Sequence, residues 1–373
     1  MKTNKKSRFF YTFISIIFGL LCGSIILIIS GTNPIEAYKV VIEGIIGKPS
    51  YIAWTLVNAV PIVLTGISVA FAFNTGLFNI GSEGQYIVGS IGAVMAGALL
   101  KLPPIIHPIV ALMCGAICGG IWGGIVGVLK SRFNINEVIS SIMFNWIGFY
   151  LSNYMLSFSF LRKPQSDNSY SIQPNASIEF LGKWKTSPQG VAFLREHTVL
   201  RQFLRANVNW GILIAVIVAI VVWYILNKTT LGYQLKAVGF NKDAAEYGGI
   251  NIKRNQVVSM TISGAISGIA GAITVLGVAG NIGMMASQQG YGFDGMAVSL
   301  IAGNNPLGCI PAGLLFAGLT YGGGKLTILG TYSEIIKIVI GIIIFFISMP
   351  KLLDLIQDKF SNLYRKKDGA QND

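Results

Sequence analysis

Charge is what this sequence has least of. Only 12% of its 373 residues are Asp, Glu, Lys or Arg, and 15 of them are acidic, against roughly a quarter charged in soluble domains. That scarcity excludes an ordinary soluble globular fold. Histidine is nearly absent: His107 lies near the end of an apolar run and His197 in a polar stretch, so no acid, base and nucleophile set can be assembled and enzymatic chemistry is not expected. The four cysteines, Cys22, Cys114, Cys118 and Cys309, all sit within apolar runs. Cys114 and Cys118 stand four apart without His or carboxylate partners, so neither a metal site nor a disulfide framework follows. No phosphate-binding G-x-x-x-x-G-K-[ST] occurs; "GGGKL" at Gly322 to Leu326 lacks the leading spacing and the Ser or Thr that would hold magnesium. No cofactor is implied.

The net charge of +13 raises the question of nucleic acid. The basic residues instead fall between apolar runs and at the ends, as in "MKTNKKSR" and "YRKK", which suits lipid headgroups and cytoplasm and leaves no basic domain for nucleic acid.

Apolar sequence dominates what remains, at 53% of residues with a mean hydropathy of +0.63. The pattern predicts an all-α polytopic membrane protein, one membrane-spanning domain over 1–373 with ten transmembrane helices at 9–30, 51–73, 86–100, 105–129, 136–160, 209–226, 257–280, 290–303, 307–323 and 334–350. The first run follows Lys2, Lys5, Lys6 and Arg8 but exceeds the 7 to 15 residues of a signal-peptide core and lacks a small-residue cleavage site, so it reads as an anchor. An even number of spans puts both termini on one side. With Lys351, Lys359, Arg365, Lys366 and Lys367 at the other end, that side is the cytoplasm. Segment 161–208 then falls outside as a loop insertion despite its seven basic residues, and its second half, "VAFLREHTVLRQFLRANVNW", has helical apolar spacing. Segment 228–256 falls inside.

Glycines organise the packing. Gly115, Gly119, Gly123 and Gly127 form a ridge down one predicted helix, and Ser263, Gly264, Ser267, Gly268 and Gly271 repeat the device on another. Two polar interruptions break the apolar pattern. The first, "FNTGLFNIGSEGQY", carries Asn74, Asn79, Glu83 and Gln85; the second, "NIGMMASQQGYGFDGMAVS", carries Gln288, Gln289 and Asp294. They follow the second and seventh spans, an odd separation that gives two inverted halves with broken helices, a plan of many transporters. Polar groups at membrane depth survive only under cover of protein or beside a water-filled cavity. Asn74, Asn79, Glu83, Gln85, Gln288, Gln289 and Asp294 are therefore expected to line a substrate pathway, the alternative being that they cap the helix breaks.

In the inner loop, Asn241 is a good helix N-cap, Asp243 places negative charge in the first turn and Gly248 can end the helix. A short helix from Lys242 to Tyr247 is expected in an otherwise open loop, too short to be stable without a partner.

This loop, "LKAVGFNKDAAEYGGINIKR", resembles the cytoplasmic coupling segment of permease subunits in the branched-chain amino acid and simple sugar branch of ABC importers. The shared pattern is Ala237, Val238, Gly239 and Asn241, then Ala244 and Ala245, then Gly249 and Ile250, with Lys236 where Arg is common. "FNTGLFNIGSEGQYIVGSIGA" is similar to the permeases of nucleoside importers that use a basic-membrane-protein lipoprotein. The likeness covers roughly residues 50 to 350, and segment 161–208 resembles the longer of the two permeases in such systems. It implies a multi-pass permease of the bacterial plasma membrane, driven by cytoplasmic ABC ATPase subunits. Gly239, Asn241, Asp243, Ala244, Ala245 and Gly249 would meet those subunits. A second permease subunit, a shorter paralogue, and an external substrate-binding lipoprotein are further implied partners. The implied cargo is a small molecule, a nucleoside by resemblance, with simple sugars or branched-chain amino acids as alternatives; intramembrane carboxylates in inverted halves also suit an ion-coupled secondary transporter.

Overall fold

A computed structural model describes residues 5–331 and 333–348 of the chain. The basic residues Lys2, Lys351, Lys359, Arg365, Lys366 and Lys367, on which the sidedness of the termini was argued, lie outside the described residues, as do the last residues of the expected span 334–350.

The described residues are helical, with no strand among them and three isolated bridges. In chain order the helices are α1 (Lys5–Ile29), α2 (Pro34–Ile46), α3 (Pro49–Phe73), α4 (Ser82–Leu99), α5 (Ile106–Phe133), α6 (Glu137–Met155), α7 (Gly182–Lys185), α8 (Pro188–Glu196), α9 (Thr198–Leu204), α10 (Gly211–Lys228), α11 (Thr230–Phe240), α12 (Lys242–Tyr247), α13 (Ile252–Thr274), α14 (Tyr291–Ile301), α15 (Cys309–Gly323) and α16 (Ser333–Ser348). Each of the ten apolar runs is a helix. Among the described residues, four stretches are long and apolar enough to cross a membrane unaided: Pro49–Phe73, Ile106–Phe133, Gly211–Lys228 and Ile252–Ala279. A fifth crossing is available if Ile17–Ile29 and Pro34–Ile46, bent by 116°, act as one broken span.

Two helices depart from the sequence expectation. Helix α2 fills what looked like a plain connection; the Asn33 side chain accepts from Ile35 N–H at 3.0 Å and Pro34 opens the first turn, where its missing N–H costs nothing. Helix α11 replaces the open part of the inner loop. Thr229 caps it by accepting from Gly232 N–H at 3.2 Å, and Gly232, Leu235 and Val238 are buried. The segment is helical because packing within this chain covers one face, which local pattern alone did not reveal.

The chain forms two compact units. One unit contains α1, α2 and α16. Gly31 turns the chain between α1 and α2 at φ +78°, the Tyr38 hydroxyl donates to Leu20 O at 2.6 Å, and Thr32 and Thr331 share a hydrogen bond of 3.0 Å.

The other, Ile46–Gly318, is built around α13, which packs against α3, α4 and α5. The two glycine ridges meet here. A Cβ on Gly119 would stand 2.7 Å from the Gly268 Cα, and one on Gly123 would stand 3.0 Å from the Gly264 Cα. A Cβ on Gly115 would likewise stand 3.0 Å from the carbonyl oxygen of Gly89 in α4. Such approach gives the helices a large contact area in a medium where apolar burial alone does not drive association. A Gly268→Leu substitution, which meets the rigid backbone at Gly115, is expected to lower the thermal unfolding midpoint of detergent-purified protein by an amount equivalent to about 1–3 kcal/mol or more. Gly341→Ala, with nothing among the described residues within 4 Å of the new methyl, should leave the midpoint unchanged or slightly raised.

Candidate functional site

The first break is a short irregular stretch between α3 and α4. Helix α3 stops at Asn74, whose amide donates back to Ala70 O at 2.7 Å, and Gly76 turns the chain at φ +71°. Asn79 and Gln85 form a reciprocal amide pair: Asn79 Nδ2 donates to Gln85 Oε1 at 2.9 Å and Gln85 Nε2 to Asn79 Oδ1 at 3.0 Å. Asn79 also donates to Ser263 Oγ at 2.6 Å. Ser259, Ser263 and Ser267 recur every four residues down one face of α13, and that face is bonded throughout. Ser259 shares a hydrogen bond with Thr75 at 2.8 Å, Ser263 with Ser68 at 2.9 Å, and Ser267 with Ser82 at 2.7 Å. Every one of these side chains is buried. The first break is thus sewn to α3, α4 and α13 by side chains that satisfy one another.

Glu83 is completely buried and is held differently. It lies in the first turn of α4, and its carboxylate accepts Gly290 N–H at 2.8 Å on Oε1 and Gly292 N–H at 2.7 Å on Oε2. Those donors open α14. The positive ends of two helices therefore converge on one carboxylate, which offsets the cost of burying it. Two glycines permit the approach: Gly290 adopts φ +91°, and a Cβ on Gly292 would collide with the Glu83 backbone. Asp294, half-buried, adds a second negative charge to the first turn of α14. From the other side the Thr65 hydroxyl of α3 donates to Tyr291 O at 2.8 Å.

Helix α6 holds both breaks. Asn145 accepts from Gly84 N–H at 2.8 Å and donates to Ile80 O at 3.0 Å. Two helical turns on, Asn153 accepts from Met285 N–H at 2.9 Å and donates to Met285 O at 2.9 Å. These residues were missed in the sequence because each is a single Asn inside an apolar run.

The second break borders a cavity. Helix α13 ends in a π-helical turn, Val275–Ala279, an irregularity frequent at functional sites, and Gly280 then redirects the chain at φ +70°. Beside it lies a cavity of ≈ 170 Å³, lined by Tyr86, Ser90, Ser152, Thr274, Asn281 and Gln289 together with apolar neighbours. Gln289 accepts from the Tyr86 hydroxyl at 3.2 Å, and the Tyr86 ring lies 5.2 Å from that of Tyr291. Segment 161–208 reaches this break: Ser169 N–H donates to Ile282 O at 2.8 Å, Met284 N–H to Asp167 O at 2.8 Å, and Ile172 N–H to Gly280 O at 2.8 Å.

Of the seven residues expected along a pathway, Gln289 lines the cavity, Glu83 and Asp294 gather at the start of α14, and Asn79 and Gln85 lie inside the hydroxyl seam. Asn74 stands at the far end of the first break, its amide 3.4 Å from Asn304 O. Gln288 is half-buried, its amide nitrogen enclosed and without a hydrogen-bond partner among the described residues.

The inner segment has the cap expected of it: Asn241 Oδ1 accepts from Ala244 N–H at 3.0 Å, Asp243 is in the first turn, and α12 ends at Gly248 with Gly249 at φ +78°. Ala244 is exposed, whereas Ala245 is 4% exposed and packs within this chain. Tyr233, Phe240 and Tyr247 are exposed at 72%, 89% and 98%, an aromatic surface unusual without a partner. Gly239 lies directly on the first break. A Cβ there would collide with Asn74 O and come within 3.0 Å of Gly76 N.

The chain is similar to known transporter permeases. It is 38% identical over 358 residues to the guanosine ABC transporter permease NupP of Bacillus subtilis, with 96% of each chain covered. It is 35% identical over 361 residues to the nucleoside ABC transporter permease NupB of Lactococcus lactis, with 95% of each covered. The nucleoside ABC transporter permease NupC of the same bacterium is 24% identical over 270 residues, 71% of this chain and 79% of NupC. Residues 51–348 match the family described as branched-chain amino acid transport system / permease component. With that match and two relatives aligned over nearly their whole length, the chain belongs to this family of membrane permease components.

Proposed function

We propose that the chain is the longer permease subunit of an ATP-driven ABC importer for nucleosides. One observation carries the substrate class. The cavity at the second break is lined by amides, hydroxyls and a tyrosine, and no Lys or Arg occurs between Asn74 and Leu100 or between Asn281 and Asn305. Nucleosides present an uncharged base and a ribose with several hydroxyls, which such a lining accommodates. A phosphate would enter without a compensating charge. The names of NupP and NupB, guanosine and nucleoside permeases, support the same class.

On this reading ten helices cross the membrane in two inverted halves with both termini in the cytoplasm. Gln289 and Gln288 face the passage near the second break. Glu83 and Asp294 position the broken helix α14, and Asn74, Asn79 and Gln85 hold the first break. Segment 228–256 lies inside, where Gly239, Asn241, Asp243, Ala244 and Gly249 form the part that an ATPase subunit engages, and the buried Ala245 seats α12 on this chain. Segment 161–208 lies outside and meets a substrate-binding lipoprotein. The second permease is a shorter relative of the NupC kind.

A strain dependent on this system is expected to take up purine and pyrimidine nucleosides, with no competition from a nucleotide and no uptake when the ATPase subunit is deleted. Radiolabelled uptake checks this. Competition by ribose or a branched-chain amino acid equal to that by unlabelled nucleoside would overturn the substrate class and leave the permease role standing.

A further inference from the structure

The cavity at the second break contains polar groups whose bonding is unfinished. Two of its hydroxyls are spent on their own helices: Ser90 donates to Tyr86 O at 3.0 Å and Thr274 to Ala270 O at 3.0 Å. Ser152 of α6 is not. It is 2% exposed and lines the cavity, yet its hydroxyl has no hydrogen-bond partner among the described residues. The hydroxyl is not among the fully enclosed unpaired atoms, so it faces the cavity space and is open to a ligand group there. Asn281 also lines the cavity with no side-chain partner among the described residues. Gln289 is half engaged: its carbonyl oxygen takes the Tyr86 hydroxyl, and its amide nitrogen reaches only the Met285 sulfur at 3.7 Å, a weak acceptor. One hydroxyl and two amides therefore converge on one space walled by the Tyr86 ring.

We propose that Ser152, Asn281 and Gln289 form a hydrogen-bonding subsite that reads one uncharged ring of the solute during its passage. The size agrees. At ≈ 170 Å³ the cavity is smaller than the ~300–1,000 Å³ of sites that enclose a whole small molecule, and suits a single ring. The chemistry selects neutral hydrogen-bonding rings and gives no grip to a charged group. Asn153 of the same helix clamps Met285, which fixes the break relative to Ser152. The identity of the ring, ribose or base, rests on the nucleoside reading above, and two analogues separate the cases.

The experiment measures maximal uptake by the complete importer at saturating binding protein, so that capture outside the membrane does not limit the rate. Guanosine, 2′-deoxyguanosine and inosine are compared in wild type and in Ser152→Ala. Loss of one hydrogen bond lowers guanosine uptake about threefold to tenfold at unchanged membrane abundance. The analogue that lacks the recognised group is carried equally by wild type and variant: the deoxynucleoside if the ribose is read, inosine if the base amine is read. Wild-type rates for all three solutes, or the same loss for all three, would overturn the subsite. An Asn281→Cys variant supplies the second measurement, since modification by a neutral thiol reagent is slowed at least twofold by the solute if the cavity binds it. Unslowed modification counts against the subsite. Failure of wild type to carry any nucleoside would overturn the substrate reading instead, and the protection assay is then run with whichever solute wild type does carry.

Discussion

Glu83→Leu is expected to strip the protein of most of its folded population in the membrane, with a thermal midpoint far below wild type in whatever can be purified. The carboxylate is the only acceptor described for Gly290 N–H and Gly292 N–H, the two donors that open α14. Removing it leaves two donors unpaired in a site from which water is excluded, at about 1–3 kcal/mol each. It also leaves the positive ends of α4 and α14 facing each other without the charge that holds them together. Glu83→Gln should fall between wild type and Leu. One carbonyl oxygen can still accept, but the amide NH₂ is turned toward the second donor. Asp294→Asn should cost less than either, because Asp294 is half-buried and does not receive those N–H groups. The order of midpoints is therefore wild type, Asp294→Asn, Glu83→Gln, Glu83→Leu. A Leu variant that melts with wild type would show that Glu83 does not seat α14.

Gly239→Val is expected to reduce uptake by at least an order of magnitude while leaving ATP hydrolysis by the assembled importer in place. Gly239 is the last residue but one of α11, between the exposed aromatics Tyr233, Phe240 and Tyr247 and the backbone of Asn74 to Gly76. On the proposed reading, a movement imposed on α11 and α12 by an ATPase subunit reaches the first break through this backbone contact, and the first break carries Asn79 and the start of α4. A valine pushes the two backbones apart and weakens that transmission, yet it leaves the exposed aromatics Tyr233, Phe240 and Tyr247 in place. Uptake and ATP hydrolysis measured together in proteoliposomes containing the ATPase subunits and binding protein check the prediction. Full uptake by Gly239→Val would remove this contact from the coupling route. A parallel loss of hydrolysis would mean that the residue serves subunit docking instead.

Much of the architecture is legible in the sequence alone. Apolar runs of helical length gave helices because the backbone must satisfy its own hydrogen bonds where water is scarce. The ridge Gly115, Gly119, Gly123 and the ridge Gly264, Gly268 were legible as close-packing surfaces, and they meet each other. Asn241, Asp243 and Gly248 marked α12 because capping is local chemistry. Helix α11 was not legible, because its stability comes from burying Leu235 and Val238 against residues that local pattern does not reveal. Ser152, Asn145 and Asn153 were invisible for a related reason: one polar residue in an apolar run has no periodicity to report.

By itself the sequence determined that this is a helical, multi-pass chain with two polar interruptions, since those properties depend on composition and on neighbours within a few turns. Only the tertiary structure decided what the polar groups do. Asn79 meets Ser263 across 184 positions of sequence, and Glu83 meets Gly290 and Gly292 across 207 and 209. A polar side chain at membrane depth must be covered by protein or by solvated space, and sequence states the requirement without saying which. In the first break protein supplies the cover, hydroxyl against amide. Around Ser152, Asn281 and Gln289 it stops short, and an open cavity remains.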